Sequence, residues 1–442
     1  MFFATTWRRA SILVLAGGIC LLTAFPGVGQ EADFPMALRL ARADEPTAAQ
    51  SPNAQLAAPM PQPQTNPADV EAQPPARPEA DESIEPASPP ARPPAERFRR
   101  TSPPRSPILR LASVPNMLGD FFNQGGQLQA TGNGIALADL PIAGGGRRLK
   151  IAENNKALPM NRCYFMYHHF QNALDADPNL NVPGGGRAFS VDRYTVGVEK
   201  TFLCDLWSVD VRMPFSGEYG MTTGNFVVEG GAVGNLAITL KRLLVANECG
   251  AVAAGLGVDV PTGSDVSGRF GQVDFTLHNN AVHLSPYVGF VSVPSPRLFC
   301  LGFAQLDVAA NGNRVDYFDN QQRVPGQFGR LTEQTLLYLD VSTGYWLYRN
   351  PCACGLTGLA SLVEFHYTTA LDDADLVNST VSGAGFEFGN RLNRIDVVDL
   401  TVGLHAEICR NTTVRVAGAF PLNDTPEKPF DAEIHVSVNR RF

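Results

Sequence analysis

Beyond residue 30 this 442-residue chain has no uninterrupted apolar run of the roughly 18 residues a helix needs to cross a bilayer. It is therefore either soluble or crosses a membrane as strands. Positive charge is in short supply: 35 Lys and Arg stand against 43 Asp and Glu, for a net charge of -8. With no basic field, nucleic acid is not an expected partner. Catalytic signatures are missing as well. No serine lies in a G-x-S-x-G elbow, and there is no H-E-x-x-H. The glycine runs at 144–146 and 184–186 lack the GK[ST] sequel of a phosphate cradle, and no CxxC pair marks a zinc site. The acidic stretches at 259–265 and 371–376 lack EF-hand spacing and read as solvated turns. No cofactor, no metal and no enzymatic activity are expected.

What is present falls into four parts. Arg8 and Arg9 precede an apolar run from Ala10 to Phe25, with small residues at Gly27 and Gly29. This predicts a signal peptide over 1–29, cleaved before Gln30. Residues 30–112 are crowded with proline and read as a disordered, extended arm. A solvated spacer is the plain reading; an arm reaching cell-wall polymer is the alternative. Residues 113–161 join the compact "VPNMLGDFFNQGG" to a glycine-rich basic patch, and read as a periplasmic transition segment or a partial plug.

From residue 162 onward the pattern has period two. Trp207, Val209, Val211, Met213 and Phe215 alternate with Ser208, Asp210 and Arg212. Val398, Leu400, Val402 and Leu404 alternate with Asp399, Thr401, Gly403, His405 and Glu407. Stretches of about 9 to 11 residues suit a tilted bilayer crossing, and one polar face suits a wet lumen. The fold class is all-β: an antiparallel transmembrane β-barrel over 162–442 with about twelve strands, ten to fourteen being open. Short turns near 203–205, 246–248, 294–299, 350–354 and 410–411 alternate with long loops such as 172–188, 310–330 and 369–391. A single strand is expected over 226–243, and 262–281 holds further strand-like sequence. The polar-face charges Arg193, Glu199, Asp210, Arg212, Asp307, Asp340, Glu364, Asp399, Glu407 and Arg415 are the candidate lumen-lining residues.

Cysteine recurs with the hairpins. Cys163, Cys204, Cys249, Cys300, Cys352, Cys354 and Cys409 each fall near a predicted periplasmic turn. In an oxidising compartment, disulfides between neighbours are the expectation.

The last stretch, "DAEIHVSVNRRF", alternates Ile434, Val436 and Val438 and closes on Phe442. Here the chain resembles bacterial outer-membrane β-barrels, whose last strand ends in an aromatic residue recognised by the barrel assembly machinery. Arg440 departs from that pattern, where an apolar or aromatic residue is usual. The cysteine-punctuated hairpins and "MLGDFF" also resemble uncharacterised planctomycete outer-membrane proteins. The resemblance implies outer-membrane lipid as the surroundings and Phe442 as assembly signal. Three functional readings stand: a porin-like channel for passive passage of small solutes, an anchor joining the barrel to the cell wall through the arm, and a soluble periplasmic β-rich protein.

Overall fold

The computed structural model describes residues 111–120, 126–132, 134–140, 148–182, 184–217, 219–223, 226–230, 233–391, 393–409, 411–423 and 428–442. The predicted signal peptide, and all of the predicted arm except Leu111 and Ala112, lie outside the described residues. No helix among the described residues is long and apolar enough to cross a membrane.

Strands β1 (Gln127–Thr131) and β2 (Ile135–Asp139) precede three long ones, β3 (Arg162–Asp177), β4 (Arg187–Phe202) and β5 (Trp207–Ser216). Two short strands, β6 (Tyr219–Thr223) and β7 (Phe226–Gly230), lead to the long β8 (Leu236–Ala246) and β9 (Gly250–Val260). The scheme repeats with β10 (Val266–Phe270) and β11 (Val273–Leu277), then β12 (His283–Ser292) and β13 (Leu298–Ala309). It repeats again with β14 (Asn313–Asp319) and β15 (Val324–Leu331), then β16 (Leu336–Arg349) and β17 (Leu356–Ala370). Finally β18 (Leu376–Val381) and β19 (Ala384–Gly389) precede β20 (Asp396–Ile408), β21 (Thr412–Pro421) and β22 (Ala432–Arg441).

The twelve long strands β3, β4, β5, β8, β9, β12, β13, β16, β17, β20, β21 and β22 pair antiparallel in that order. Pairing of β22 with β3, Val436 opposite Tyr167, closes the circle. Closure leaves no sheet edge, which is the condition for strands to stand in hydrocarbon. The period of two then sorts side chains by solvent. On β20, Asp399, Thr401 and His405 are 1, 0 and 2% exposed, whereas Val402 and Leu404 are 47 and 50% exposed. The outward series is apolar around the circumference, through Val196, Ile238, Val288, Val341, Phe365 and Val416. A continuous band of this kind is far larger than the apolar patches of soluble proteins and is what lipid requires. The barrel therefore spans a membrane, and the reading as a soluble periplasmic protein is overturned.

Connections at one end are the short turns at 203–206, 247–249, 293–297 and 350–355 and the short link from β20 to β21. At the other end the predicted long loops are folded. The loop at 310–330 carries β14 and β15, that at 369–391 carries β18 and β19, and 262–281 contributes β10 and β11. The single strand expected over 226–243 is two, β7 and β8, because Gly230 and Gly234 flank a break in the alternation. These segments pair with one another beyond the rim. One sheet has the order β15-β14-β11-β10-β7-β6; the other runs β18-β19-β1-β2 and joins β3 through Leu137 opposite Asp177. Their facing aromatics form a dry core: Phe328 lies 5.3 Å from Phe386 and 5.0 Å from Phe388, and Phe275 lies 5.4 Å from Phe388, centroid to centroid. Such pairs add to area burial and hold the cap together.

The expected disulfides are not found. Cys163, Cys204, Cys249, Cys300, Cys352, Cys354 and Cys409 are all free thiols, six of them exposed. Outside the Cys352–Cys354–Cys409 corner, successive cysteine-bearing turns sit two strands apart, about 10 Å around the rim, while a disulfide needs Cα atoms within about 7 Å. At that corner Cys409 Sγ donates to the carbonyl of Cys354 at 2.9 Å rather than bonding to a second sulfur.

Asp139 pins the cap to the barrel. Its carboxylate accepts from the Asp175 amide at 2.7 Å and from Gln127 Nε2 at 3.1 Å. Burial pushes this carboxyl up to about 6. A carboxyl whose folded pKa lies above its unfolded value, about 3.9, favours the fold when protonated; that contribution is lost as pH rises through 6. Amide exchange in β1 and β2 should therefore quicken between pH 4 and pH 6.5, after correction for intrinsic rates. In Asp139→Asn the pH dependence should flatten. An unchanged slope in the variant would rule out Asp139 as its source.

Candidate functional site

The barrel interior is the site, and it is filled. Residues 111–120 and 148–160 run through it as two legs joined at the cap end by the β1–β2 hairpin. At the short-turn end, Arg349 donates to Ser113 Oγ, and Lys156 Nζ bonds the carbonyls of Ala112 and Val114 at 2.8 and 2.6 Å. The legs hold each other through Met117 N to Asn155 O, 2.8 Å, and Asn154 N to Leu118 O, 3.3 Å. Gly119 makes the approach feasible: its φ is +81°, and a Cβ there would lie 2.6 Å from Glu153 Cα. On the wall, Gly257 does the same for Leu149, whose Cδ2 is 2.4 Å from where a Cβ would stand. Leu118, Leu149, Ile151 and Leu158 pack against wall residues such as Ala253, Phe299, Phe303 and Leu362.

Charges meet in tiers. Nearest the cap, Arg148 Nε lies 2.9 Å from Glu333, with Asp307 at 3.8 Å from its Nη1. Asp307 also faces His283 Nδ1 at 2.8 Å, and Asp259 accepts the Leu149 amide at 2.8 Å. Midway, Glu364 accepts the amides of Leu118 and Gly119 at 2.9–3.0 Å and Ser342 Oγ at 2.8 Å. Lys150 Nζ lies 2.7 Å from Asp120 and 3.1 Å from Asp340. Glu153 meets Arg193, Arg212 at 3.4 Å and His168 at 3.2 Å. At the short-turn end, Glu199 pairs with Arg162 at 2.8 Å and Lys241 at 3.0 Å and accepts the Met160 amide. Arg415 donates to the carbonyls of Asn116 and Met117 at 3.2 and 2.9 Å and to Asn154.

The ten charges read from the sequence thus differ in their surroundings. Arg193, Glu199, Arg212, Asp307, Asp340, Glu364 and Arg415 each contact a residue of the legs directly. Asp210 instead accepts from Tyr164 Oη at 3.0 Å. Asp399 stands across from His366, and Glu407 lies at the rim, 4.0 Å from Arg441. Phe442 is 62% exposed, with Lys200 Nζ 5.1 Å from its ring centre. Sequence reasoning missed Asp120, Arg148, Lys150 and Glu153 on the legs, and Arg162, His168, Lys241, Asp259 and Glu433 on the wall. A usable signal was there: four charges within 148–156, a density unlike a flexible linker of glycine and serine.

No family model and no curated protein matches the chain. Its fold is similar to that of several solved structures. The NanC porin structure is 6% identical, covers 64% of this chain and 100% of its own, and has a TM-score of 0.36. An outer-membrane channel from Pseudomonas putida F1 is 11% identical, with 65% and 97% covered and a TM-score of 0.39. The translocator domain of the autotransporter NalP from Neisseria meningitidis is 10% identical, with 66% and 91% covered and a TM-score of 0.39. Fold and location rest on closure and on the apolar band of this chain itself. It is an outer-membrane β-barrel.

Glu364 is the wall residue that holds the leg backbone. Glu364→Ala removes the acceptor for two buried amides and should lower stability by about 3 kcal/mol, read as a lower urea midpoint in detergent micelles. Glu364→Gln, which keeps one acceptor, should lose less. Equal midpoints for wild type and Glu364→Ala would show that the carboxylate does not hold the leg.

Proposed function

We propose that the chain is a porin-like conduit for small solutes across the outer membrane, held closed by its own lumenal segment. The observation that carries this reading is how the legs are attached. Among the described residues, 111–120 and 148–160 form no β-ladder with the wall; they hold to it through side chains. A stopper bonded in this way leaves without tearing the strand pairing that makes the barrel. Steric sieving and the mixed charges of the wall would then govern passage. We carry the assembly role of Phe442, and the likeness to planctomycete outer-membrane proteins, as parts of the same proposal.

The second reading, an anchor tied to cell-wall polymer through the arm, draws on the same packing, because a filled lumen suits a protein that passes nothing. The two readings separate in a planar bilayer. Full-length mature protein should be silent at low voltage, while Asp120→Ala/Glu364→Ala, which loosens both mid-barrel attachments, should give discrete ohmic steps. Silence from a folded, inserted double variant would favour the anchor. Steady conductance from wild type would contradict closure.

A further inference from the structure

One rung of the barrel interior crowds three carboxyl groups around one imidazole. Asp340 on β16 is opposite His366 on β17, which is opposite Asp399 on β20. Asp120 enters this row from the first leg. His366 Nδ1 lies 2.7 Å from Asp340 Oδ1 and 3.0 Å from Asp120 Oδ1. One ligand atom from each of Asp120, Asp340 and His366 falls within 4.8 Å of the others, and all three residues are buried. Tetrahedral zinc, with bonds of about 2.0–2.1 Å, sets its ligand atoms roughly 3.3 Å apart. The two histidine–carboxylate separations, 2.7 and 3.0 Å, fall short of that by about 0.6 and 0.3 Å, a gap that small side-chain rotations close.

Independent of this spacing, the cluster holds carboxylate oxygens that its neighbours do not fully answer. Asp340 Oδ2 is buried and accepts no hydrogen bond, and the carboxyls of Asp120 and Asp399 lie against each other with a single proton or a cation needed between them; Asp120, Asp340 and Asp399 are 0, 1 and 1% exposed. A buried carboxylate oxygen left so is costly. Three carboxylates face one ammonium, Lys150, and one imidazole. Glu364 does not enter this count, since backbone amides and Ser342 answer it. It sits instead 3.4 Å from His366 Nε2, where an outer carboxylate orients a metal-bound histidine.

We propose that Asp120, Asp340 and His366, with Asp399 beside them, form a site for a divalent transition-metal cation that clamps the lumenal segment to the barrel wall. Carboxylates with a single imidazole suit zinc or manganese; calcium, which wants six to eight oxygens, fits less well. The metal replaces the proton on His366 Nδ1, which passes to solvent, and Glu364 receives the Nε2–H. Lys150 is the built-in competitor, because its ammonium lies against the same two carboxylates and must turn aside.

The test uses full-length mature protein in detergent, its rim thiols alkylated and its metals removed with EDTA, titrated with Zn²⁺ and Mn²⁺. Wild type should bind one equivalent of at least one of the two and gain in urea midpoint. Asp340→Asn and His366→Gln, both close in size to the originals, should abolish saturable binding, and Lys150→Met should tighten it by about tenfold. X-ray absorption on the loaded wild type, which needs no variant to fold, should show nitrogen and oxygen ligands and no sulfur. Failure of wild type to bind either ion, retention of binding in folded Asp340→Asn or His366→Gln, or a sulfur shell would each overturn the proposal. Binding does not depend on conduction, so this result and the bilayer result stand apart.

Discussion

A closed barrel turns half of its side chains inward, and here many of those are charged. A charge taken from water must be met by another charge or by well-placed hydrogen bonds, or the fold does not tolerate it. A wide pore meets this demand with water. This chain meets much of it with itself: Glu364 is answered by leg amides, Arg415 by leg carbonyls and Asp340 by Lys150. Wall and lumenal segment are thus halves of one electrostatic arrangement. Breaking such a pair leaves a buried charge without its counter-ion, which costs several kcal/mol, so the mid-barrel contacts are the natural place for the segment's hold to be strengthened or released.

Three environments follow from that one constraint. Outside, the alternate residues of each strand are apolar because lipid admits nothing else. Inside, polar side chains are crowded against the two legs, and glycines such as Gly257 stand where a leg side chain needs room. Beyond the rim, connections that would be long loops bury phenylalanines between two small sheets. The β1–β2 hairpin links the interior to the cap, since β1 pairs with β19 and β2 with β3. Movement of the legs is therefore felt in the cap, and the acid–base state of Asp139 bears on both.

The barrel was legible because its signal is local. Alternation over 206–215 and 398–408 marks two faces per strand, and repeated over the chain it leads to twelve strands, the number found. The cap was less legible: 262–281 read as strand-like, but β14 and β18 are seven and six residues long, and the Gly, Asn and Asp around them read as loop. The partners of the wall charges were not legible at all. Period two identifies Arg193 as polar-facing, but that Glu153 meets it depends on how a segment outside the strands threads the barrel. The cysteines show the same limit, since their regular recurrence was visible while the distance between neighbouring hairpins was not.

Hydrogen exchange on the full-length protein in micelles addresses the central claim, that residues 111–120 and 148–160 occupy the lumen. The amides of Leu118, Gly119, Leu149 and Ile151 are bonded to Glu364, Asp259 and Gln305 of the wall. The account predicts protection at these four close to that of barrel amides such as those of β16 and β17. Exchange at the rate of an open, solvated chain, with the barrel itself protected, would contradict it.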